Sequence, residues 1–342
     1  MTPNQEPKIV KITPIEDIFS ITWNLHKRCN NDCMYCGEFL HDATSPVKSL
    51  EELQSQWLQI FNKTKHINKK YKISFTGGEA VINKNFMPFV SWLQENYGQY
   101  LHRTLLTSNG NASKDYYLKI FKDLSGLTLS THTENFDIDR FMDIAINCDI
   151  FAKQHPGKFF MVNLMEEYWA LDTIKQLIDR LSEHNIRFNL AKIEYNRKGS
   201  RDYPIFIVNK KPVPRPDLLK TEDAINQTHQ ALQEYTNIKK IPQDQFYNVE
   251  VEHDDQSTIK TYAARLNFLG LDHFTGWRCY AGLHRINITA HGEVFDGECY
   301  NESLGNLNDG SFQLRTEPGI CRRATCTGNP DDVMVHKYIS KI

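Results

Sequence analysis

The sequence predicts an α/β fold: a partial (β/α)6 TIM-like barrel, followed by a small α+β cysteine-rich C-terminal domain with hairpins. Between residues 19 and 193, short β-rich runs alternate with longer stretches of helical periodicity, which is typical of parallel strands joined by helices. After residue 200 this alternation stops, and two hairpin patterns and four of the eight cysteines follow. We therefore predict a barrel at 1–199, a bridging segment with a hairpin at 200–275 and a C-terminal domain at 276–342.

Six short strands define the predicted barrel. They lie at 19–23, 72–75, 104–107, 127–131, 159–163 and 187–191. Ser49 and Glu52 make a capping box at the start of the first helix, where apolar residues then recur at helical spacing. Further helices are predicted at 86–96, 113–124, 138–153 and 169–184. Right-handed crossovers between parallel strands would curl these units into an open barrel, with the chemistry at the carboxyl ends of the strands.

Beyond the barrel the pattern changes. The bridging segment is rich in Pro, Lys and Asp, and one helix is predicted in it, at 221–235. Two hairpins are predicted, one from 247–251 and 258–262, the other from 285–289 and 293–295.

Composition narrows the classes of function. The 342 residues include 40 basic and 42 acidic side chains, without a long run of one sign, so nucleic acid is an unlikely substrate. The first thirteen residues lack the apolar core of a signal peptide, and no stretch is apolar enough to cross a bilayer, so we expect a cytoplasmic protein without a membrane partner. Cysteines stay reduced there, and clustered ones more often hold metal.

Three cysteines, Cys29, Cys33 and Cys36, follow the first predicted strand within eight residues. A [4Fe-4S] cluster held by three thiolates keeps one iron open to an outside ligand. The spacing alone also allows a zinc knuckle completed by His26 or His41, or a thioredoxin-like pair of the second and third cysteines.

A second motif, Gly77-Gly78-Glu79, follows the second predicted strand and should lie at the same edge of the sheet. Paired glycines let a ligand approach the backbone, and the Glu79 carboxylate could face a positively charged amine. By itself the motif could also be a simple turn.

Together the two motifs resemble the signature of the radical S-adenosylmethionine superfamily, over about residues 23–193. The resemblance implies that Cys29, Cys33 and Cys36 hold a catalytic [4Fe-4S] cluster and that the Gly77–Glu79 motif binds the methionyl amine of S-adenosylmethionine. It also implies that Tyr35, just before the third cysteine, packs near the adenine.

Weaker matches to that family lie at the ends of later strands, where some residues would contact the ribose or carboxylate of the cofactor. They are Ser108, Asn109, Ser130, His132 and Asn163. For each of them a role in a turn or cap is the alternative, because these residue types also favour local hydrogen bonds.

The four late cysteines, Cys279, Cys299, Cys321 and Cys326, surround and follow the second hairpin. Four thiolates could close an iron-sulfur cluster or a structural zinc site, and spacing does not separate these. The segment resembles the twitch and SPASM extensions of the same superfamily, and four cysteines fit a single auxiliary cluster. Cys148 completes an apolar helical face and is predicted to be a core residue.

The resemblance implies an enzyme that reductively cleaves S-adenosylmethionine and abstracts hydrogen from a peptide or small metabolite, an oxidoreductase-type modification. A flavodoxin or ferredoxin would donate the electron. The alternatives are a redox-neutral epimerase or rearrangement enzyme that acts on a sugar or nucleoside, and an iron-sulfur electron carrier without catalysis.

Overall fold

The computed structural model describes residues 7–37, 41–193, 200–208, 211–238, 248–326 and 330–339. The strands are β1 (Ile9–Pro14), β2 (Ile18–Asn24), β3 (Lys70–Thr76), β4 (Leu101–Ser108), β5 (Gly126–Ser130), β6 (Phe159–Met165), β7 (Phe188–Ala191), β8 (Ile205–Val208), β9 (Lys211–Pro214), β10 (Val249–His253), β11 (Thr258–Thr261), β12 (Arg278–Cys279), β13 (Arg285–Ile288), β14 (Glu293–Phe295), β15 (Ser303–Asn306), β16 (Gly319–Ile320) and β17 (Lys337–Tyr338). The helices are α1 (Leu50–Thr64), α2 (Phe86–Tyr97), α3 (Lys114–Ile120), α4 (Ile138–Gln154), α5 (Leu171–Glu183), α6 (Glu222–Ile238), α7 (Ala263–Phe268) and α8 (Pro330–Val333).

The larger sheet has the strand order β15-β14-β13-β2-β3-β4-β5-β6-β7. Its strands β2 to β7 are the six that the sequence predicts, and every neighbouring pair among them is parallel. One helix follows each of the first five, so the mixed α/β class and the parallel sheet are confirmed. The description of this sheet as a partial barrel stays a prediction.

Helix α1 shows how the units pack. The predicted capping box is present, because the Ser49 side chain accepts from the Glu52 N–H and the Glu52 side chain accepts from the Ser49 N–H. The helix buries Trp57, whose ring meets that of Tyr71 on β3 edge to face, with centroids 5.3 Å apart. Cys148 is fully buried on α4, as its helical spacing predicts.

Helix α3 ends at Ile120, four residues before its predicted end. Ser113 is its N-cap, as predicted, and its hydroxyl accepts from the Tyr116 N–H. After Ile120 the chain tightens, because the N–H groups of Lys122 and Asp123 bond three residues back instead of four. The apolar residues at the predicted end are thus buried in a turn.

The second predicted hairpin is formed by β13 and β14, which pair antiparallel. Strand β13 also pairs in parallel with β2, so this hairpin extends the large sheet beyond its first strand. The domain division at 200 and 276 stays a prediction, and residue 199 lies outside the described residues.

A second sheet has the order β11-β10-β1-β17-β12-β16. It contains the other predicted hairpin, β10 with β11, although residue 247 of that prediction lies outside the described residues. The sequence pattern did not predict β1, which pairs with β10 and β17 from the other end of the chain.

The bridging segment contains the predicted helix as α6, which ends three residues later than expected. It also contains a small hairpin, β8 with β9, that the Pro-rich pattern concealed. Among the helices of the described residues, none combines the length and the hydropathy that crossing a bilayer requires.

Candidate metal and cofactor site

An open cavity of about 260 Å3 lies at the carboxyl ends of the parallel strands. Eleven of the twelve residues predicted from the N-terminal motifs and strand ends line it, namely Cys29, Cys33, Tyr35, Cys36, Gly77, Gly78, Glu79, Ser108, Asn109, Ser130 and His132. Residues that the sequence did not single out complete the wall, among them Asn24, Thr76, Thr107, Met165 and Lys192. The tertiary structure thus brings the separate motifs to one cavity.

Asn163 is the exception, because it is not among the residues that line the cavity. Its main-chain carbonyl accepts a hydrogen bond from the Thr131 N–H at 2.9 Å, which joins the ends of β5 and β6. The role of the Asn163 side chain stays a prediction.

The cysteine loop is closed at its base. The Cys29 N–H donates to the Asp42 carbonyl at 2.8 Å, and the Asp42 N–H donates to the Lys27 carbonyl at 2.9 Å. Within the loop the Asn31 N–H points at the Cys29 sulfur at 3.4 Å, and the Cys36 N–H bonds the Cys33 carbonyl. N–H groups directed at sulfur are the environment in which cysteines hold iron-sulfur clusters.

Burial governs the protonation of these thiols. It raises the pKa of Cys29 and of Cys33, and the neighbouring carboxylates Glu134 and Glu167 raise the pKa of Cys33 further. A cation is needed to make such thiols into thiolates. In the part of the chain that the structure describes, no three His, Cys, Asp or Glu side chains are gathered closely enough to hold one metal ion.

The two histidines that a zinc knuckle would use have different surroundings. Burial and the nearby Lys48 lower the pKa of His26 to about 4. His41 lines the cavity, and its Nε2 lies 3.1 Å from a carboxylate oxygen of Asp32.

The glycine pair packs directly against the start of the cysteine loop. Gly77 has φ +94°, a conformation that favours glycine. A Cβ on Gly78 would lie 2.2 Å from the Arg28 carbonyl oxygen. The space beside Gly78 is therefore filled by the main chain at Arg28, whereas the motif was expected to leave this space for a ligand.

Glu79 is buried and ties the ends of two neighbouring strands together. Its carboxylate accepts from the Asn109 N–H at 2.6 Å, the Ser108 hydroxyl at 3.0 Å and the Val81 N–H at 3.2 Å. Burial raises its pKa to about 7, which these bonds oppose.

The loop after β4 holds the cysteine loop from the other side. The Asn109 amide donates to the Asn30 side chain, and the Asn111 amide donates to the Asn31 side chain, both at 2.7 Å. The sequence motifs did not predict a role for Asn111. The signal that could have identified it is its position three residues after the end of β4.

Tyr35 stands between two rings, stacked on His132 and Trp169 with centroid distances of 6.0 and 6.2 Å. Its hydroxyl donates to a Glu167 carboxylate oxygen at 2.9 Å. The hydroxyl oxygen therefore accepts from His132 Nδ1, 2.6 Å away, and we assign the imidazole proton to that nitrogen. Burial lowers the pKa of His132 to about 4, so the imidazole is neutral near pH 7.

Two residues that the sequence motifs did not predict, Glu134 and Arg201, also hold the cysteine loop. The Glu134 carboxylate accepts from the Met34 N–H at 3.0 Å. The Arg201 N–H donates to the Met34 carbonyl at 2.7 Å, and its guanidinium bonds the Asp32 carboxylate at 2.5 Å. Glu134 lies four residues after the end of β5 and Glu167 two residues after the end of β6, and these positions near strand ends were the signal for finding them.

The four late cysteines lie in one neighbourhood. Burial raises the pKa of Cys299, Cys321 and Cys326, and charge on Cys279 raises the pKa of each of them further. Cys279 is on β12, which pairs with β16 and β17. The Cys321 N–H donates to the Trp277 carbonyl at 2.9 Å, so Cys321 lies beside the strand of Cys279, although no closed set of ligands is present among the described residues.

No protein-family model matches the chain, and no curated protein matches its sequence. Among solved structures, histidine-tagged anSMEcpe with bound AdoMet aligns with TM-score 0.52 and 15% identity over 85% of this chain and 75% of that chain. Native anSMEcpe with bound AdoMet gives TM-score 0.52 and 16% identity over 86% and 80%.

Streptococcus suis SuiB bound to its precursor peptide SuiA aligns with TM-score 0.49 and 14% identity over 83% of this chain, but only 60% of the SuiB chain. The similarity to anSMEcpe shows a shared fold. The shared fold, and the AdoMet bound in those two anSMEcpe structures, agree with the resemblance that the two motifs carry.

Proposed function

We propose that this chain is a radical S-adenosylmethionine enzyme. One observation carries the proposal. The three cysteines of one loop and the Gly77–Glu79 turn line the same cavity at the carboxyl edge of the parallel sheet. A zinc knuckle or a thioredoxin-like pair would not require that turn.

In this proposal Cys29, Cys33 and Cys36 hold a [4Fe-4S] cluster. When bound, the cluster supplies the electron that cleaves S-adenosylmethionine to methionine and a 5'-deoxyadenosyl radical, which takes a hydrogen atom from the substrate. The Asn31 N–H, which points at the Cys29 sulfur at 3.4 Å, fits a thiolate-held cluster.

The other wall residues bind the cofactor and exclude water. The turn at Gly77–Glu79 presents main-chain groups to the methionyl amine, while Ser130 and His132 line the same cavity from the end of β5. Tyr35, which lines the same cavity, packs near the adenine. The Glu79 carboxylate already accepts hydrogen bonds from Ser108 and Asn109, so the main role of these three residues is to fix the position of this turn.

The C-terminal cysteines hold a single auxiliary iron-sulfur cluster in this proposal, and the reaction is an oxidative modification of a peptide or small metabolite. The pairing of β12 with β16 places Cys279 and Cys321 on neighbouring segments, which supports the cluster. A flavodoxin or ferredoxin supplies the electron, and the reaction takes place in the cytoplasm.

The test is anaerobic production of 5'-deoxyadenosine. The chain is reconstituted with iron and sulfide, reduced, and given S-adenosylmethionine, beside a variant with Cys29→Ala, Cys33→Ala and Cys36→Ala. We expect 5'-deoxyadenosine from the parent chain and none above background from the variant. A Cys148→Ala variant is the matched control, because that thiol lies in the core and should leave cleavage intact.

Equal yields from the parent and the triple variant would overturn the proposal. So would a parent chain that binds a reducible [4Fe-4S] cluster but leaves the S-adenosylmethionine intact, both alone and with extracts that contain candidate substrates.

A further inference from the structure

A buried lysine stands among the late cysteines. Lys337, on the short strand β17, is only 2% exposed. Its ammonium donates to the Cys279 sulfur at 3.6 Å and to the main-chain carbonyl of Asp332 at 2.5 Å, and it lies 5.5 Å from the centre of the Phe274 ring. Burying an ammonium group is costly unless a negative charge compensates it.

The nearby carboxylate of Asp332 is engaged with other groups. One of its oxygens accepts from the Arg285 guanidinium at 2.5 Å, and the same oxygen accepts from the Glu298 N–H at 3.3 Å. Lys337 instead bonds the main-chain oxygen of that residue.

Four thiolates around a metal carry a net negative charge, and here they would do so in a buried site. A nearby ammonium that also donates a hydrogen bond to one sulfur lowers the cost of gathering that charge. The strand pairing places it correctly, because Lys337 lies directly opposite Cys279 in the antiparallel pair of β17 and β12.

We propose that Lys337 is the positioning residue of an iron-sulfur centre held by Cys279, Cys299, Cys321 and Cys326, where its ammonium fixes Cys279 and compensates the thiolate charge. This inference rests on the auxiliary cluster of the proposed function. Because the positive charge favours the more negative, reduced state of the centre, Lys337 raises its reduction potential.

The experiment isolates this centre from the other one. The full chain carrying Cys29→Ala, Cys33→Ala and Cys36→Ala is reconstituted with iron and sulfide, and serves as the parent. Lys337→Met and Lys337→Gln are then added separately, the first removing charge and donor, the second keeping a donor without the charge. Lys11→Met, on the neighbouring strand and partly exposed, is the matched control.

Iron and sulfide content, resistance to a chelator, and the potential from an EPR-monitored redox titration are measured for each chain. We expect both Lys337 variants to have a more negative potential than the parent, and Lys337→Met to lose iron about 10-fold more readily to the chelator. The Lys11→Met chain should match the parent. Circular dichroism establishes that each variant is folded, and Lys337→Gln remains informative where Lys337→Met does not fold.

An unchanged potential and iron retention in the folded Lys337 variants would overturn the inference. A parent that binds zinc without iron, or no metal, would overturn it as well. These failures are distinct from failure of the proposed function, because 5'-deoxyadenosine production is assayed separately in the chain with an intact first cysteine loop.

Discussion

At the scale of single residues, three buried carboxyl groups hold the loops that line the cavity. Burial raises the pKa of Glu79 and Glu167 to about 7 and that of Glu134 to about 8. Each of them accepts hydrogen bonds from the main chain of a loop that lines the cavity. These groups therefore link the order of the cavity wall to pH.

The pH dependence of Glu79 can be predicted in sign and size. Its pKa rises from 4.5 to about 7 on folding, so its stabilising contribution is complete below about pH 4.5 and is lost as the pH rises through about 7. The shift corresponds to about 3 kcal/mol. We expect the stability advantage of the parent over Glu79→Gln to shrink by up to this amount between pH 5 and pH 8.

Urea unfolding at several pH values measures this difference. Glu95→Gln, which changes an exposed carboxylate, is the control and should give a difference that hardly varies with pH. A gap between the parent and Glu79→Gln that widens as the pH rises would contradict the assignment.

At the scale of elements, the turn after β3 and the loop after β2 form one unit. The Glu79 N–H donates to the Arg28 carbonyl at 2.9 Å, and Gly78 has no room for a side chain there. The Asn109 and Asn111 amides hold the same loop from the end of β4. The position of the cysteines thus depends on two neighbouring strand ends.

Gly78→Ala should displace the cysteine loop. Its Cβ would lie 2.2 Å from a main-chain oxygen, which cannot move aside as a flexible side chain can. We expect a loss of about 1–3 kcal/mol in the free energy of unfolding and lower iron content after reconstitution. Gly98→Ala is the matched control, because its nearest neighbour is the end of the Gln94 side chain at 3.2 Å. Full iron loading and parent stability in Gly78→Ala would refute the tight packing.

At the scale of the whole molecule, Arg285 joins the two ends of the chain. This fully buried residue of β13 bonds Asp332 of α8 at 2.5 Å, and Ser20 and Thr22 of β2 at 3.2 Å each. Because β13 pairs with β2, Arg285 links the C-terminal helix α8 to β2 through one ion pair and two hydrogen bonds to hydroxyl groups.

Asp332→Asn should therefore be strongly destabilising, since it leaves a buried guanidinium without its main counter-charge. We expect a loss of about 3 kcal/mol, seen as a lower midpoint of urea denaturation. Asp139→Asn is the control, because it breaks the partly exposed pair with Arg180 and should cost at most about 1 kcal/mol. Similar losses from the two substitutions would show that burial does not control the strength of the Arg285 pair.

Local patterns in the sequence were enough to predict the six parallel strands, the helices between them, both late hairpins and the motifs that meet at the cavity. Such patterns succeed because periodicity records which face of an element is buried, and because parallel strands bring their carboxyl ends to one edge. The first cysteine loop and the Gly77–Glu79 turn were predicted on the same rim for this reason.

Only the tertiary structure decided which groups partner across that rim. Spacing along the chain did not reveal that Gly78 gives room to Arg28, that Glu134 supports Met34, or that β1 pairs with strands from the other end. The same holds for Lys337 beside Cys279, because the two residues are 58 positions apart in the sequence. Such contacts depend on how whole elements pack, and periodicity within one element carries no information about its distant neighbours.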